Sequence, residues 1–128
     1  MPRLEVLSIS GNPIGNRGVA ALAAPLRKLP ALGTLFLGRC EIGDEGVASL
    51  VDNLGKDDFN ALENLDLSNN KITDAGVTRL LAALDAGGLP KLVHRPYSSM
   101  LHHNSVSAVA VEAVKHAMVK RSESLRRS

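Results

Sequence analysis

Four histidines, one cysteine and a serine-rich basic tail are the residues of this chain that could carry chemistry. His94, His102, His103 and His116 have side chains that bind metals or move protons, and Cys40 could act as a nucleophile or a thiolate ligand. A zinc site draws its ligands from tight, recurrent spacings. Here the histidines come as one adjacent pair and two singles, and Cys40 lies far from all of them. No metal site and no cofactor is therefore expected; His102 and His103 fit a solvated loop, and His116 the polar side of a last helix. The chain has neither a G-x-S-x-G elbow nor a G-x-x-x-x-G-K-(S/T) phosphate cradle, and Gly87-Gly88 runs into Leu89-Pro90 as a turn closing a helix does. A lone cysteine closes no internal disulfide. No catalytic residue is assigned, and the chain reads as a non-enzyme.

Charge points the same way. Residues 1–91 hold nine Lys or Arg against eleven Asp or Glu, whereas residues 92–128 hold six against two. The main body thus lacks the cationic stripe, and at 2% aromatics the stacking platforms, that nucleic-acid binding needs. Every Leu-rich run is broken by Asp, Lys, Gly or Pro well short of the roughly 18–20 apolar residues that span a bilayer. The N-terminus does not resemble a secretory signal. The expectation is a cytoplasmic protein without nucleic-acid or membrane partners. In the tail, Lys115, Lys120, Arg121, Arg126 and Arg127 stand among serines, where they solvate a helix end, complement its dipole and then fray.

What must position any functional group is a repeat. Leu4-Glu5-Val6-Leu7-Ser8-Ile9-Ser10-Gly11-Asn12 returns as Leu32-Gly33-Thr34-Leu35-Phe36-Leu37-Gly38-Arg39-Cys40, and again as Leu62-Glu63-Asn64-Leu65-Asp66-Leu67-Ser68-Asn69-Asn70. The first leucines are spaced by 28 and then 30 residues, and Leu92 follows 30 further on. A second block follows each of these: Ile14-Gly15-Asn16-Arg17-Gly18-Val19, Ile42-Gly43-Asp44-Glu45-Gly46-Val47 and Ile72-Thr73-Asp74-Ala75-Gly76-Val77. Asn16, Asp44 and Asp74 share one position, where a side-chain oxygen can accept from an unpaired first-turn N–H and cap a helix. Val19, Leu22 and Leu26, then Val47, Leu50 and Leu54, then Val77, Leu80 and Leu84 make an apolar stripe of helical spacing. Gly18, Gly46 and Gly76 either allow a close approach of helix to strand or mark an unusual backbone angle. One strand and one helix cannot bury their leucine faces alone, so the units must stack, parallel strands on one side and helices on the other. The helix side is wider, so the stack curves.

The period, the full helix per unit and the Asn–Cys–Asn series at 12, 40 and 70 resemble the ribonuclease-inhibitor subclass of leucine-rich repeats. The resemblance implies an α/β horseshoe solenoid segment, with β-strands on the concave face and α-helices on the convex face. Three repeats fill residues 1–92 (4–31, 32–61 and 62–91). Residues 93–121 form a degenerate fourth repeat with an irregular loop, and 122–128 a basic tail. Leu101, Asn104, Val106, Ala110, Val111, Val114 and Met118 match Leu67, Asn70, Ile72, Gly76, Val77, Leu80 and Leu84 at a constant offset of 34. Pro96 and Ser99 damage the strand of that unit, and a helix is expected near 106–121. Asn12, Cys40 and Asn70 form a structural ladder, buried where the chain turns inward and bonding backbone of adjacent repeats. Both ends of the stack present an apolar edge, open to self-association or to further repeats.

Alternation along the strands sends Leu and Ile inward and leaves three columns on the concave wall: Val6, Thr34 and Asn64; Ser8, Phe36 and Asp66; Ser10, Gly38 and Ser68. Gly11, Arg39 and Asn69 lie at the rim. Phe36, flanked by Arg39 and Asp66, is the natural contact anchor; the plainer alternative is that it only covers neighbouring strand backbone. The function expected is a protein–protein interaction module. Because similar repeats occur in the activator of the Ran GTPase, the resemblance also allows a GTPase regulator, although no position here matches a functional residue of that protein; a third reading is a structural end of a longer array.

Overall fold

In the computed structural model, which describes residues 3–93 and 100–127, three short strands, β1 (Val6–Ser8), β2 (Thr34–Phe36) and β3 (Asn64–Asp66), form one parallel sheet in the order β1-β2-β3. Each is followed by a helix: α1 (Gly15–Arg27), α2 (Asp44–Val51) and α3 (Asp74–Asp85), with α4 (Ala108–Arg127) closing the chain. Each helix packs on the next, so sheet and helices form the two walls of a solenoid segment. Leu35 and Leu65 stand in register, and with Leu32, Leu37, Leu62 and Leu67 they are fully buried. Each such leucine contributes roughly 1.5–3 kcal/mol by leaving water.

The strands are three residues long, yet the ladder continues past them in both directions. At the far end, Ile9 N–H donates to Phe36 C=O and Gly11 N–H to Gly38 C=O; Leu37 and Arg39 repeat this on Asp66 and Ser68, and Leu67 and Asn69 on Met100 and His102. At the near end, Glu63 N–H donates to Gly33 C=O and Val93 N–H to Glu63 C=O. The fourth unit therefore pairs with β3 at an offset of 30 before the loop and 34 after it. The extra residues fall within 94–99; Pro96, Ser99 and His94 lie outside the described residues.

The amide side chains bind the turns together. Asn70 Nδ2 donates to Leu67 C=O and Ser68 C=O in its own unit and, at 2.9 Å, to Leu37 C=O in the unit before. Its Oδ1 accepts from Cys40 N–H and Ile42 N–H. Asn104 repeats the pattern, donating to Leu67 C=O and accepting from Ile72 N–H. Cys40 Sγ points at Ile9 C=O, 3.2 Å away. Asn12 departs from the expectation of burial: it is exposed and donates only to Ile9 and Ser10 of its own turn, since among the described residues no unit is stacked before it.

Asn16, Asp44 and Asp74 do cap helices, but each caps the helix of the following unit. Asn16 Oδ1 accepts from Gly43 N–H (2.7 Å) and Gly46 N–H (2.9 Å). Asp44 accepts from Thr73 N–H, Thr73 Oγ1–H and Gly76 N–H, and Asp74 from Ser107 N–H at 2.7 Å. This relay also replaces both readings of the glycines, the close approach to a strand and the unusual backbone angle. None of Gly18, Gly46 and Gly76 has a positive φ, but a Cβ on Gly46 would lie 2.7 Å from Asn16 Oδ1, and one on Gly76 2.5 Å from Asp44 Oδ1. The missing Cβ makes room for the neighbour's oxygen.

Helix lengths differ from the sequence reading in two places. α2 stops at Val51, before Leu54, because Asp52 leaves the helix in an extended conformation (φ −73°, ψ 139°), and the left-handed Asn53 (φ 54°) turns the chain away after it. α4 runs to Arg127, past the expected end near 121 and through the tail expected to fray, since no Gly or Pro interrupts it.

Asn70→Ala should lower stability by about 3 kcal/mol, because it strands the Cys40 and Ile42 N–H groups away from water. Urea unfolding of the two proteins measures this; a loss no greater than that of an exposed Asn12→Ala change would contradict the ladder's role.

Candidate functional site

The registers that pair the strands also align the exposed side chains. Val6, Thr34 and Asn64 face one another across the sheet, as do Ser8, Phe36 and Asp66. Val6 is 56% exposed and Phe36 37%. Asn64 Nδ2 reaches Thr34 Oγ1 at 3.4 Å, and Asp66, the register partner of Phe36, accepts from Ser68 N–H at 2.9 Å on Oδ1, which fixes its carboxylate. The third column differs from expectation. Ser10 is exposed and Ser68 half-buried, but Gly38 is buried: its N–H donates to Ser10 Oγ (3.1 Å), and a Cβ on it would touch Ser68 Oγ. Gly38 is thus removed from the contact surface, and its neighbours close over it.

At the rim, Gly11, Arg39 and Asn69 share a left-handed backbone, with φ of 82°, 57° and 55°. His103 joins them at 58°, since the offset of 34 that matches Asn104 to Asn70 also matches His103 to Asn69. Glycine and Asn adopt this conformation readily; Arg and His do so at a cost on the order of 1 kcal/mol. The result is a row of exposed side chains along the end of the sheet. Arg39, Glu41, Asn69, Asn70, Lys71 and His103 line a shallow cleft of about 350 Å³ there, with Lys71 3.6 Å from Glu41. His102 and His103 stack with ring centroids 4.6 Å apart. The constant offset could have revealed both as continuations of the Ser68 and Asn69 columns.

Hydroxyls, a carboxamide, a carboxylate and one aromatic ring are groups that hydrogen-bond and pack against a partner. Among the described residues no three His, Cys, Asp or Glu side chains come together as metal ligands. Cys40 is fully buried, and burial pushes its thiol above the ordinary range, which disfavours the reactive thiolate. Asp74, by contrast, is held below the usual carboxylate range by the N–H and hydroxyl of Ser107.

Two charged clusters on the helix side escaped the sequence reading. Asp58, buried at 6% exposure, receives Lys28 Nζ at 2.6 Å on one oxygen and Arg27 (3.0 Å) and Gly55 N–H (2.8 Å) on the other. Arg27 also donates to Ser49 C=O and Asn53 C=O. The Lys28 and Gly55 hydrogen bonds outweigh burial and, with Arg27, hold the Asp58 carboxyl well below the ordinary aspartate range. The cluster ties the end of α1 to the loop after α2. In the second, Arg121 of α4 donates to the carbonyls of Leu84, Gly88 and Leu89, so this tail cation caps α3 instead of solvating its own helix end. Both depend on residues some thirty positions apart, which periodicity does not report.

A family model described as leucine-rich repeat matches residues 2–23, 32–51 and 61–81. Pig ribonuclease inhibitor is 37% identical over 83 residues, 64% of this chain and 18% of the inhibitor. The human leucine-rich repeat-containing protein 73 is 32% identical over 102 residues, 78% of this chain and 32% of that protein. The chain thus spans about a third or less of the curated relatives it matches. Among solved structures, the leiomodin-1 actin-binding site 2 superposes with a TM-score of 0.68 at 14% identity, covering 98% of this chain and 85% of that one; the likeness is one of fold. No described helix is long and apolar enough to cross a membrane.

A carboxyl held below its unfolded-state value stabilises the fold at pH above that value and ceases to as pH falls through the folded one. The stability gap between the wild type and Asp58→Asn should therefore be constant above about pH 5 and shrink below the ordinary aspartate value of 3.8. Urea titrations at pH 7, 4 and 2.5 check this; a gap unchanged at pH 2.5 would mean that Asp58 is not ion-paired.

Proposed function

Since the chain belongs to the leucine-rich repeats of the ribonuclease-inhibitor type, we propose that it is a protein–protein interaction module whose concave strand face binds a protein partner. Repeats of this family generally act in protein–protein contact, and the task is binding, not catalysis. The observation that carries this reading is the in-register row of exposed Ser8, exposed Phe36 and half-buried Asp66. It places an exposed aromatic ring in the centre strand, with a hydroxyl on one side and a carboxylate on the other. Central aromatics ringed by polar groups supply most of the energy in such contacts. Arg39, Asn69 and Ser68 extend the surface toward the rim, while Val6, Thr34, Asn64 and Ser10 complete it. The main body carries no cationic stripe suited to nucleic acid, and the partner is a protein.

Phe36→Ala combined with Asp66→Ala should weaken a partner captured from native extract by at least about tenfold, as loss of roughly 1.4 kcal/mol or more at a central anchor implies. The thermal midpoint should change little, since both side chains lie outside the core. Isothermal titration with the captured protein measures the first and calorimetry the second; an unaltered affinity places the binding face elsewhere.

A further inference from the structure

The cleft at the rim is built from residue types that its backbone disfavours. Arg39, Glu41, Asn69 and His103 all hold φ between 55° and 58°, a region that glycine and Asn enter freely and longer side chains only under strain. The first unit has Gly11 at the position of Arg39, so the turn itself does not call for a cation. The second unit accepts the strain twice, at Arg39 and at Glu41, and both side chains line the cleft. Strained backbone of this kind gathers at positions that contact a ligand.

The polar groups of the cleft divide into spent and unspent. Asn70 is spent, because its Nδ2 and Oδ1 are both committed to the turns of two units. So are the backbone N–H groups of Arg39, Asn69 and Lys71, which donate to the carbonyls of Ser68, His102 and Ile42. The side chains of Arg39 and Asn69, by contrast, are exposed and make no hydrogen bond or ion pair among the described residues. Lys71 meets Glu41 at 3.6 Å, with the two side chains 71% and 53% exposed, a contact that solvent and salt weaken. The unspent donors are thus a guanidinium and a carboxamide, with a loosely held ammonium beside them. A planar guanidinium takes both oxygens of a carboxylate in one paired contact. A phosphoryl group brings a second negative charge, which Glu41 opposes.

We propose that the rim cleft holds a Glu or Asp side chain from an acidic segment of the protein partner. Arg39 and Asn69 donate to its carboxylate, and Lys71 turns to it from Glu41, which serves as a placeholder in the free chain. This deepens the reading of the concave face as a protein-binding surface, on which it rests, by giving the chemistry of the partner. Asp66 stands in register with Phe36, so an acidic group is repelled from the ring and drawn to the rim three residues further along the second unit. That separation fixes the direction in which the partner crosses the sheet.

The test is an NMR titration of the full chain with a blocked peptide of four glutamates flanked by glycines, set against its glutamine counterpart. The glutamate peptide should shift the Arg39 Nε–H and Asn69 Nδ2–H signals to saturation, the glutamine peptide should not, and added salt should weaken the binding. Followed at Asn69, Arg39→Asn should weaken the glutamate peptide by about tenfold or more, the loss of one charge-assisted contact. The same change should raise the thermal midpoint, because Asn tolerates the left-handed backbone; a lowered midpoint would make Arg39 a structural residue. Glu41→Gln should tighten the peptide by about two- to fivefold, as the ammonium is released from an exposed pair. Equal shifts with the glutamine peptide, an affinity unaltered by Arg39→Asn, a Glu41→Gln protein that binds no tighter, or inorganic phosphate held at Arg39 more tightly than the glutamate peptide would each overturn the proposal. The titration does not use the partner captured on the concave face, so its failure is told apart from failure of the Phe36 and Asp66 test.

Discussion

Every unit of this chain exposes backbone groups that only its neighbour can satisfy. A three-residue strand has too few internal bonds to persist alone, and a helix of eight to thirteen residues is marginal in water without tertiary support. Stacking resolves both deficits together. It pairs the strands, buries the leucine faces, and brings a side-chain oxygen from one unit to the unpaired N–H groups at the next helix start. Because that oxygen comes from across the unit boundary, helix formation in one unit is coupled to docking of the unit before.

Two sets of bonds carry this coupling at opposite sides of the solenoid. On the strand side, Asn70 and Asn104 link each turn to the one before; on the helix side, Asn16, Asp44 and Asp74 link each helix start to the one after. The first points backward along the chain and the second forward, so an interior unit is held from both directions. Among the described residues the first unit is held from one, and there Asn12 bonds only within its own turn. The buried groups of the relay tolerate little change: a glycine lies under the oxygens of Asn16 and Asp44, and in the fourth unit, where Ala110 replaces glycine, Ser107 Oγ takes over the Ala110 N–H and Asp74 keeps the N–H and hydroxyl of Ser107.

The same constraint shapes the candidate surface. A concave wall of strands in fixed register holds its outward side chains in straight columns, so recognition is written in three or four residues per unit on a backbone that need not move. The left-handed conformation shared by Gly11, Arg39, Asn69 and His103 continues this regularity to the rim. Strain at Arg39 is sustained because the ladder on either side of it is complete, through Gly11 N–H to Gly38 C=O and Arg39 N–H to Ser68 C=O.

The repeat period, the inward leucines, the strand columns and the parallel stacking were all legible in the order of residues, because they follow from periods of two and of about thirty that a linear pattern displays. The positions of Asn16, Asp44 and Asp74 were legible too; that they act on the next helix was not, since spacing shows where an oxygen lies along the chain and not which N–H it meets across a boundary. Gly38 shows the same limit, as alternation assigned it outward and its neighbours' side chains then covered it. Only the tertiary structure could assemble Arg27, Lys28 and Asp58, or set Arg121 in the carbonyl cup at the end of α3. Those contacts join loops and helix ends that belong to no period, and their partners are chosen by proximity after the units have docked.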